Sequence, residues 1–310
     1  MAAHQGDRLV VGTRGSLLAR AQTQWVMDLI AAANPGWQAR MQIISTAGDR
    51  LKGPLPEIGG KGLFTQDLER ALLDGSIDVA VHSCKDLPTK LADGLAILAF
   101  PRREDPRDAW VAAGGKSLDE LPAGSVVGTT SLRRQAQLLM RRRDLMFAQL
   151  RGNVDTRIRK VREGQCAAAV LAMAGLIRAG LVAEVTQAFE PELMLPAPGQ
   201  GALAVEGRAG DERVRALLAA VNDEATRVAV ECERGVLAGL NAGCRAPVGA
   251  LAVAAGDELR CAALVSDPQG QRVARARAAG RVREQGRVVG EMLEQLKAGG
   301  AESIIAMCGG

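Results

Sequence analysis

The feature that most constrains this chain is an order of elements that occurs twice. "RLVVGT" (8–13) reads as a buried strand. Ser16 then caps a helix whose apolar positions Leu17, Ala21, Trp25 and Leu29 follow helical spacing, and Pro35–Gly36 stops it. "QARMQIIST" gives the next strand. The loop "AGDRLKGPLPEIGGKG" leads to a helix bearing Phe64, Leu68, Ala71 and Leu72, and "IDVAVHS" is a strand opening into "CKDLP". The succession restarts at "SVVGTT" (125–130), which runs into the helix "SLRRQAQLLMRRR". The strand "LMFAQL", the turn "RGN" with Asn153 as cap for "VDTRIRKVREG", and the strand "CAAAVLA" opening into "MAGLIRAG" complete it. Alternating strands and helices imply parallel sheets covered on both faces, hence an α/β fold. Two such lobes facing each other make a cleft, with ligands beyond the carboxyl ends of the strands.

A chain of 310 residues exceeds one ordinary core. Two segments, "FPRREDPRDAW" (100–110) and "LPAPGQGALAVEGR" (195–208), read as hinges. Two crossings are needed if the chain leaves lobe one, builds lobe two and returns. The expected division is 1–101 with 201–220 as lobe one, 107–195 as lobe two, and 222–310 as a small C-terminal α+β domain with an antiparallel sheet. In that last part a helix capped by Asn222 precedes the strands "VGALAVAA", "ELRCAALVS" and "QRVARARAA" and a final helix over about 282–298.

Several classes are set aside early. No run of about 18 apolar residues occurs, so no membrane-spanning helix is expected. The N-terminus lacks the layout of a secretion signal, which points to a cytoplasmic enzyme or binding protein. Six cysteines, without a C-x-x-C, and only two histidines, His4 and His82, argue against a zinc site; a disulfide framework is equally unexpected. Cys244, in "NAGCRAPVG" (241–249), sits in a glycine-bearing loop instead of an apolar run. Taken alone it could be a core filler, a ligand, a nucleophile or an attachment point.

The net charge of +4 is unevenly placed: Thr129–Arg162 holds ten basic and two acidic residues, a local +8. Arg141, Arg142 and Arg143 fall late in their helix, where cations complement the dipole, and read as structural or surface. Other cations and polar residues stand at strand ends. Arg14 and Ser16 follow the first strand, and His82, Lys85 and Asp86 the third. Thr129, Ser131, Arg133 and Arg134 open lobe two, with Arg151, Arg157 and Arg178 after its later strands. Such a lining suits small polyanions, because guanidinium forks pair carboxylates and phosphates with two parallel hydrogen bonds. No P-loop or dinucleotide fingerprint is present, and a chain that is 2% aromatic lacks stacking platforms for single-stranded nucleic acid. That leaves small polyanions, carboxylates foremost among them. Asp86 is either an ion-pair partner of these cations or an anion that steadies a cationic intermediate or moves a proton. His82 reads as a hydrogen-bonded core histidine.

"TRGSLLA", "GGKGLF", "VHSCKDLP", "REDPRDA", "VGTTSLRRQAQL", "LRGNVDTR", "LAMAGLIR", "LPAPGQGA" and "GCRAPVG" follow in order from about residue 11 to 249. Together they resemble the successive signatures of the porphobilinogen deaminase (hydroxymethylbilane synthase) family. The resemblance implies two lobes like those of periplasmic binding proteins around a cleft, plus a third domain. It implies a transferase of tetrapyrrole, porphyrin and heme biosynthesis that condenses four porphobilinogen molecules head to tail, releases ammonia each time, and frees linear hydroxymethylbilane. Its dipyrromethane cofactor would be attached through a thioether at Cys244. Up to six rings present about a dozen carboxylates to the arginines. By similarity, Ser131, Arg133, Arg134 and Arg157 would hold carboxylates of cofactor and substrate, and Lys85 those of the cofactor. Arg14, Ser16, Arg151 and Arg178 would line the cleft and steer incoming units. Thr129 and Gln200 would form its floor. Asp86 would face the pyrrole N–H groups and stabilise the azafulvene cation formed as ammonia leaves, and the loop around Lys61 would be a lid.

Three positions depart from the family pattern. Glu57 stands where some members carry lysine, Cys84 where Met is familiar, and Asp155 adds an acid beside Arg157. A non-catalytic two-lobed anion-binding module would share the cleft and arginines but need neither Asp86 nor Cys244. A nucleic-acid-binding protein would use the 129–162 stretch. Porphobilinogen is the expected small-molecule partner, with neither nucleic acid nor membrane, and the chain is expected to be a monomer.

Overall fold

The structure, a computed structural model, describes residues 8–46, 65–242 and 246–308. His4, Glu57, Lys61, Phe64 and Cys244 lie outside these. Contacts divide the chain into two compact units, Met1–Arg103 with Ala202–Arg227, and Glu104–Gly201 with Val228–Gly310. No helix among the described residues is long and apolar enough to cross a membrane.

The first unit holds a five-stranded sheet of β1 (Arg8–Thr13), β2 (Gln38–Ile43), β3 (Val79–Ser83), β4 (Leu95–Ala99) and β10 (Leu203–Arg208), in the order β2-β1-β3-β10-β4. β1 runs parallel to β2 and β3, whereas β10 pairs antiparallel with both β3 and β4, so the sheet is mixed, not purely parallel as the alternation suggested. The reason lies in the connectivity: β10 arrives from a return crossing, not from a right-handed β-helix-β unit. The helix Leu17–Ala33 buries Val26, Met27 and Ile30 against Leu9, Val11, Val79 and Val205. The stripe expected from spacing is not the buried one, since Leu17 is 67% and Trp25 38% exposed. This helix is apolar on more than one side, and the sheet selected the neighbouring face. The helix Gln66–Leu73 buries Leu68, Ala71 and Leu72 as its pattern predicts.

In the second unit, β5 (Asp108–Ala112), β6 (Val126–Gly128), β7 (Met146–Ala148), β8 (Ala168–Ala172) and β9 (Gln187–Phe189) form the order β7-β6-β8-β5-β9. β6 is parallel to β7 and β8, and β5 is antiparallel to β8 and β9. The two sheets therefore share one plan: three parallel strands, then an antiparallel strand that enters from a crossing. They also share a tight spot. A Cβ at Gly128 would stand 2.7 Å from Leu150 Cδ2 and 2.9 Å from Cys166 Sγ, and one at Gly12 would collide with Ile77 Cδ1. Each glycine lets a helix or loop pack directly on the strand whose end carries polar residues.

The same unit includes the antiparallel sheet β11 (Val248–Ala255), β12 (Glu258–Ser266) and β13 (Val273–Arg281), covered on one face by the helices Glu224–Gly239, Gln285–Ala298 and Ala301–Cys308. The helix Glu224–Gly239 begins after Asp223, whose Oδ1 accepts from Thr226 N at 2.8 Å. Asn222, expected as the cap, instead accepts from Phe100 N at 2.9 Å. Asn153 occupies its N-cap position without a side-chain capping bond, whereas Ser16 caps through Ala19 N at 3.2 Å.

Candidate functional site

In the first unit, β1 and β3 are adjacent and parallel, so their carboxyl ends lie on one edge of the sheet. Past β1 come Arg14 and the capping Ser16. Past β3 the chain makes a short turn, Cys84–Asp86, in which Cys84 is buried and Lys85 and Asp86 are exposed. The turn is tied down by Cys84 N donating to Ala202 O at 3.0 Å. Cys84 thus packs inward, and its two charged neighbours are exposed. Among the described residues Asp86 makes no ion pair.

In the second unit, β7, β6 and β8 are likewise adjacent, bringing Thr129, Ser131, Arg133, Arg134 and Arg151 to one edge, while Arg178 ends the helix Met173–Arg178 that follows β8. The helix Leu132–Arg141 starts there, capped by Ser131 Oγ, which accepts from Arg134 N at 3.4 Å. Thr129 Oγ1 accepts from Ser131 N at 3.1 Å and fixes the approach. Arg133 and Arg134 therefore sit in a helix first turn, where the macrodipole disfavours cations. Both are buried, each 6% exposed. Asp108, at the start of β5 and fully buried, makes this possible. Its Oδ2 accepts from Arg133 Nη1 at 2.7 Å, and its Oδ1 from Arg134 Nη2 at 2.7 Å, Arg134 Nε at 2.9 Å and Gln200 Nε2 at 3.0 Å. Burial opposes ionisation of Asp108, but the two guanidiniums and the Arg133 and Gln200 hydrogen bonds outweigh it and hold the carboxyl well below the usual carboxylate range.

The two arginines are engaged differently. Arg134 also donates Nη1 to Val170 O at 2.8 Å, so all three of its nitrogens are occupied. Arg133 commits only Nη1, to Asp108 and to Leu195 O at 2.6 Å; its Nε and Nη2 donate to none of the described residues. Two cations share one buried anion, which leaves the cluster one positive charge in excess beside a helix N-terminus. That combination attracts a further anion.

The remaining expected residues fall nearby or at the same edge. Arg157 Nε donates to Gly152 O at 2.8 Å and Arg151 Nη2 to Gln149 Oε1 at 3.3 Å, which folds the turn after β7. Arg178 donates Nη2 to Gly201 O at 2.8 Å; burial lowers its pKa to about 10, with Glu104 opposing, so it stays charged at neutral pH. Gln200, completely buried, also donates to Pro106 O at 2.8 Å. Arg141 and Arg142 pair with Asp119 and Asp144, the structural role their late helix position predicts. The anchor position Cys244 is outside the described residues.

Three buried acids escaped the sequence reading. Asp108 was visible only as one carboxylate within "REDPRDA". Glu206, in β10, lies 2.9 Å from His82 Nε2, both buried, and outside hydrogen-bond geometry. His82 is thus buried in the core as read, but its Nε2 faces the Glu206 carboxylate without the hydrogen bond expected of it. Glu233 accepts from Gly199 N at 2.6 Å and Ala252 N at 2.8 Å. None of the three has a local pattern that announces its partner.

The family model described as "Porphobilinogen deaminase, dipyromethane cofactor binding domain" matches residues 9–216, and that of the "Porphobilinogen deaminase, C-terminal domain" matches 227–298. A curated porphobilinogen deaminase from Roseiflexus castenholzii is 46% identical over 301 residues, 97% of this chain and 99% of that one. Another from Roseiflexus sp. is 50% identical over 266 residues, covering 86% and 88%. A third, from Brevibacillus brevis, is 47% identical over 272 residues, covering 87% and 88%.

Proposed function

The chain belongs to the porphobilinogen deaminase family, and from that premise we propose how its own residues carry out the family's reaction. It is a transferase of tetrapyrrole biosynthesis that condenses porphobilinogen, with loss of ammonia, into the linear hydroxymethylbilane. The observation that carries the residue-level reading is the Asp108–Arg133–Arg134 cluster, with its excess positive charge and an Nε–Nη2 edge of Arg133 that donates to none of the described residues. A guanidinium edge held in place by buried bonds fits a carboxylate side arm of a dipyrromethane cofactor. When bound, that cofactor supplies the free pyrrole carbon on which the chain grows.

In this proposal Arg133 grips a cofactor carboxylate, and Arg134 adds charge while its hydrogen bonds stay internal. Ser131 and Thr129 set the helix start, and Gln200 holds Asp108 from the other side. Lys85 pairs with another cofactor carboxylate. Arg14, Ser16, Arg151, Arg157 and Arg178 receive the acetate and propionate arms of incoming substrate. Asp86, on its exposed turn, stabilises the positive charge that develops on porphobilinogen as its C–N bond breaks and ammonia departs. Cys244 carries the cofactor through a thioether.

Intact mass spectrometry tests the reading. Protein purified from cells that make porphobilinogen should exceed its sequence mass by two linked pyrrole units, and Cys244→Ser should abolish the excess. A wild-type chain of unmodified mass and no turnover would overturn it.

A further inference from the structure

Arg133 and Arg134 are adjacent on one helix turn, both nearly buried, and their charges repel. Left to themselves, two such side chains extend toward water in separate rotamers. Here four hydrogen bonds converge on the one carboxylate of Asp108, in β5, from two separate segments: Arg133 and Arg134 from the helix Leu132–Arg141, and Gln200 from the segment before β10. The backbone around it is equally fixed. Asp108 pairs with Ala172 of β8 and Phe189 of β9, so the carboxylate stands on a central strand and cannot drift. Leu195 O takes Arg133 Nη1 at 2.6 Å and Gln137 Nε2 at 3.0 Å, while Gln137 Oε1 accepts from Leu195 N at 2.8 Å. Arg133 is thus clamped on its Nη1 side between two fixed oxygens, and the opposite edge is the one left over.

We propose that Asp108 is a positioning residue for cofactor loading: it holds Arg133 by Nη1 and so fixes, before any ligand arrives, the Nε–Nη2 edge that donates to none of the described residues. Asp108 itself touches no ligand. It acts through Arg133, by fixing orientation, and through Arg134, by offsetting the repulsion that would push the pair apart. Preorganisation of this kind removes the ordering cost from the binding step, so its loss appears in how readily the cofactor is captured. The proposal rests on the reading of Arg133 as a cofactor ligand.

The test uses the full chain, produced in cells unable to make porphobilinogen and then incubated with porphobilinogen. Intact mass follows the gain of two linked pyrrole units, and circular dichroism follows folding. Wild type should load. Asp108→Asn, folded, should load at least tenfold more slowly and need a higher porphobilinogen concentration for half-maximal rate. A purely structural lesion would lower the folded fraction and leave that concentration unchanged per folded molecule. Folded Asp108→Asn loading at the wild-type rate, or loading slowly with an unshifted half-maximal concentration, overturns the proposal. If Asp108→Asn does not fold, Asp108→Glu decides, because it keeps the charge and moves the carboxylate by one methylene. Loading within twofold of wild type then overturns the proposal, and a tenfold deficit with a shifted concentration supports it. Failure of wild type to load would sink the assignment of Arg133 and Cys244 to the cofactor, an outcome separate from any difference between variants.

Discussion

Glu233 and Gly199 are joined by a 2.6 Å hydrogen bond from the glycine N–H to a carboxylate oxygen that is completely buried. The other oxygen of Glu233 accepts from Ala252 N, in β11, at 2.8 Å. One side chain of the helix Glu224–Gly239 thus binds both the segment carrying Gln200 and the sheet that follows Cys244 in sequence. Glu233→Ala should leave two buried N–H donors without this acceptor. The expected cost is about 1–3 kcal/mol for each donor left unsatisfied. Thermal and urea unfolding of the cofactor-free protein would measure it, and an unchanged midpoint would contradict the structural role.

Asp108 makes stability depend on acid pH in a definite direction. Its folded pKa is depressed, with the guanidiniums outweighing burial. A depressed carboxylate contributes stability that is fully present above its unfolded pKa, about 3.9, and is lost as pH falls through the folded value. Removing one partner of a buried ion pair costs about 3–5 kcal/mol. The stability gap between wild type and Asp108→Asn should therefore be constant from neutral pH to about 4 and shrink below it. Urea titrations at a series of pH values would show this; a gap that widens on acidification would refute it.

Asp86 stands on an exposed turn and makes no ion pair among the described residues. Asp86→Asn should keep the fold and the attached cofactor while turnover falls by about 10²-fold or more, the scale of losing one electrostatic stabiliser. Stopped-time assays of product formation on fully loaded protein give the number. Near-normal turnover would assign the carboxylate no part in the chemistry.

Gly128 has Leu150 Cδ2 at 2.7 Å and Cys166 Sγ at 2.9 Å from where a Cβ would stand. Gly128→Ala should destabilise by about 1–3 kcal/mol through overpacking. It should also slow loading, because Thr129 and the Ser131 cap follow at once in the chain. A folded variant with wild-type stability would mean that Leu150 and Cys166 yield more easily than their burial suggests.

Arg178 donates to Gly201 O from a largely buried position and remains charged at neutral pH. Arg178→Gln should raise KM for porphobilinogen more than it lowers kcat, as expected for a group that receives substrate carboxylates. Steady-state kinetics separate the two. A loss confined to kcat would move Arg178 from reception to the chemical step.

Much of the site could be read along the chain. Arg14, Ser16, Lys85, Asp86, Thr129, Ser131, Arg133 and Arg151 follow the ends of strands in the structure, since a strand followed by a turn or helix is a local pattern. The cap at Ser16 is equally local. Asn222 was misread because the cap one residue later, Asp223, offers the same chemistry, and the Phe100 N–H that claims Asn222 is far away in the sequence.

Alternating strands and helices, turn residues and strand-end cations were enough to set the number and kind of elements, because each depends on neighbours a few residues apart. The order of motifs was enough to indicate the family. Folding in three dimensions settled what depends on distant returns of the chain. It made β5 and β10 antiparallel, chose which apolar face of the helix Leu17–Ala33 is buried, and left Leu17 and Trp25 outside. It also supplied Asp108 to two arginines 25 and 26 positions away and to Gln200, 92 positions away. A buried charge needs a partner, and which partner it finds is fixed only when separate strands are brought into register.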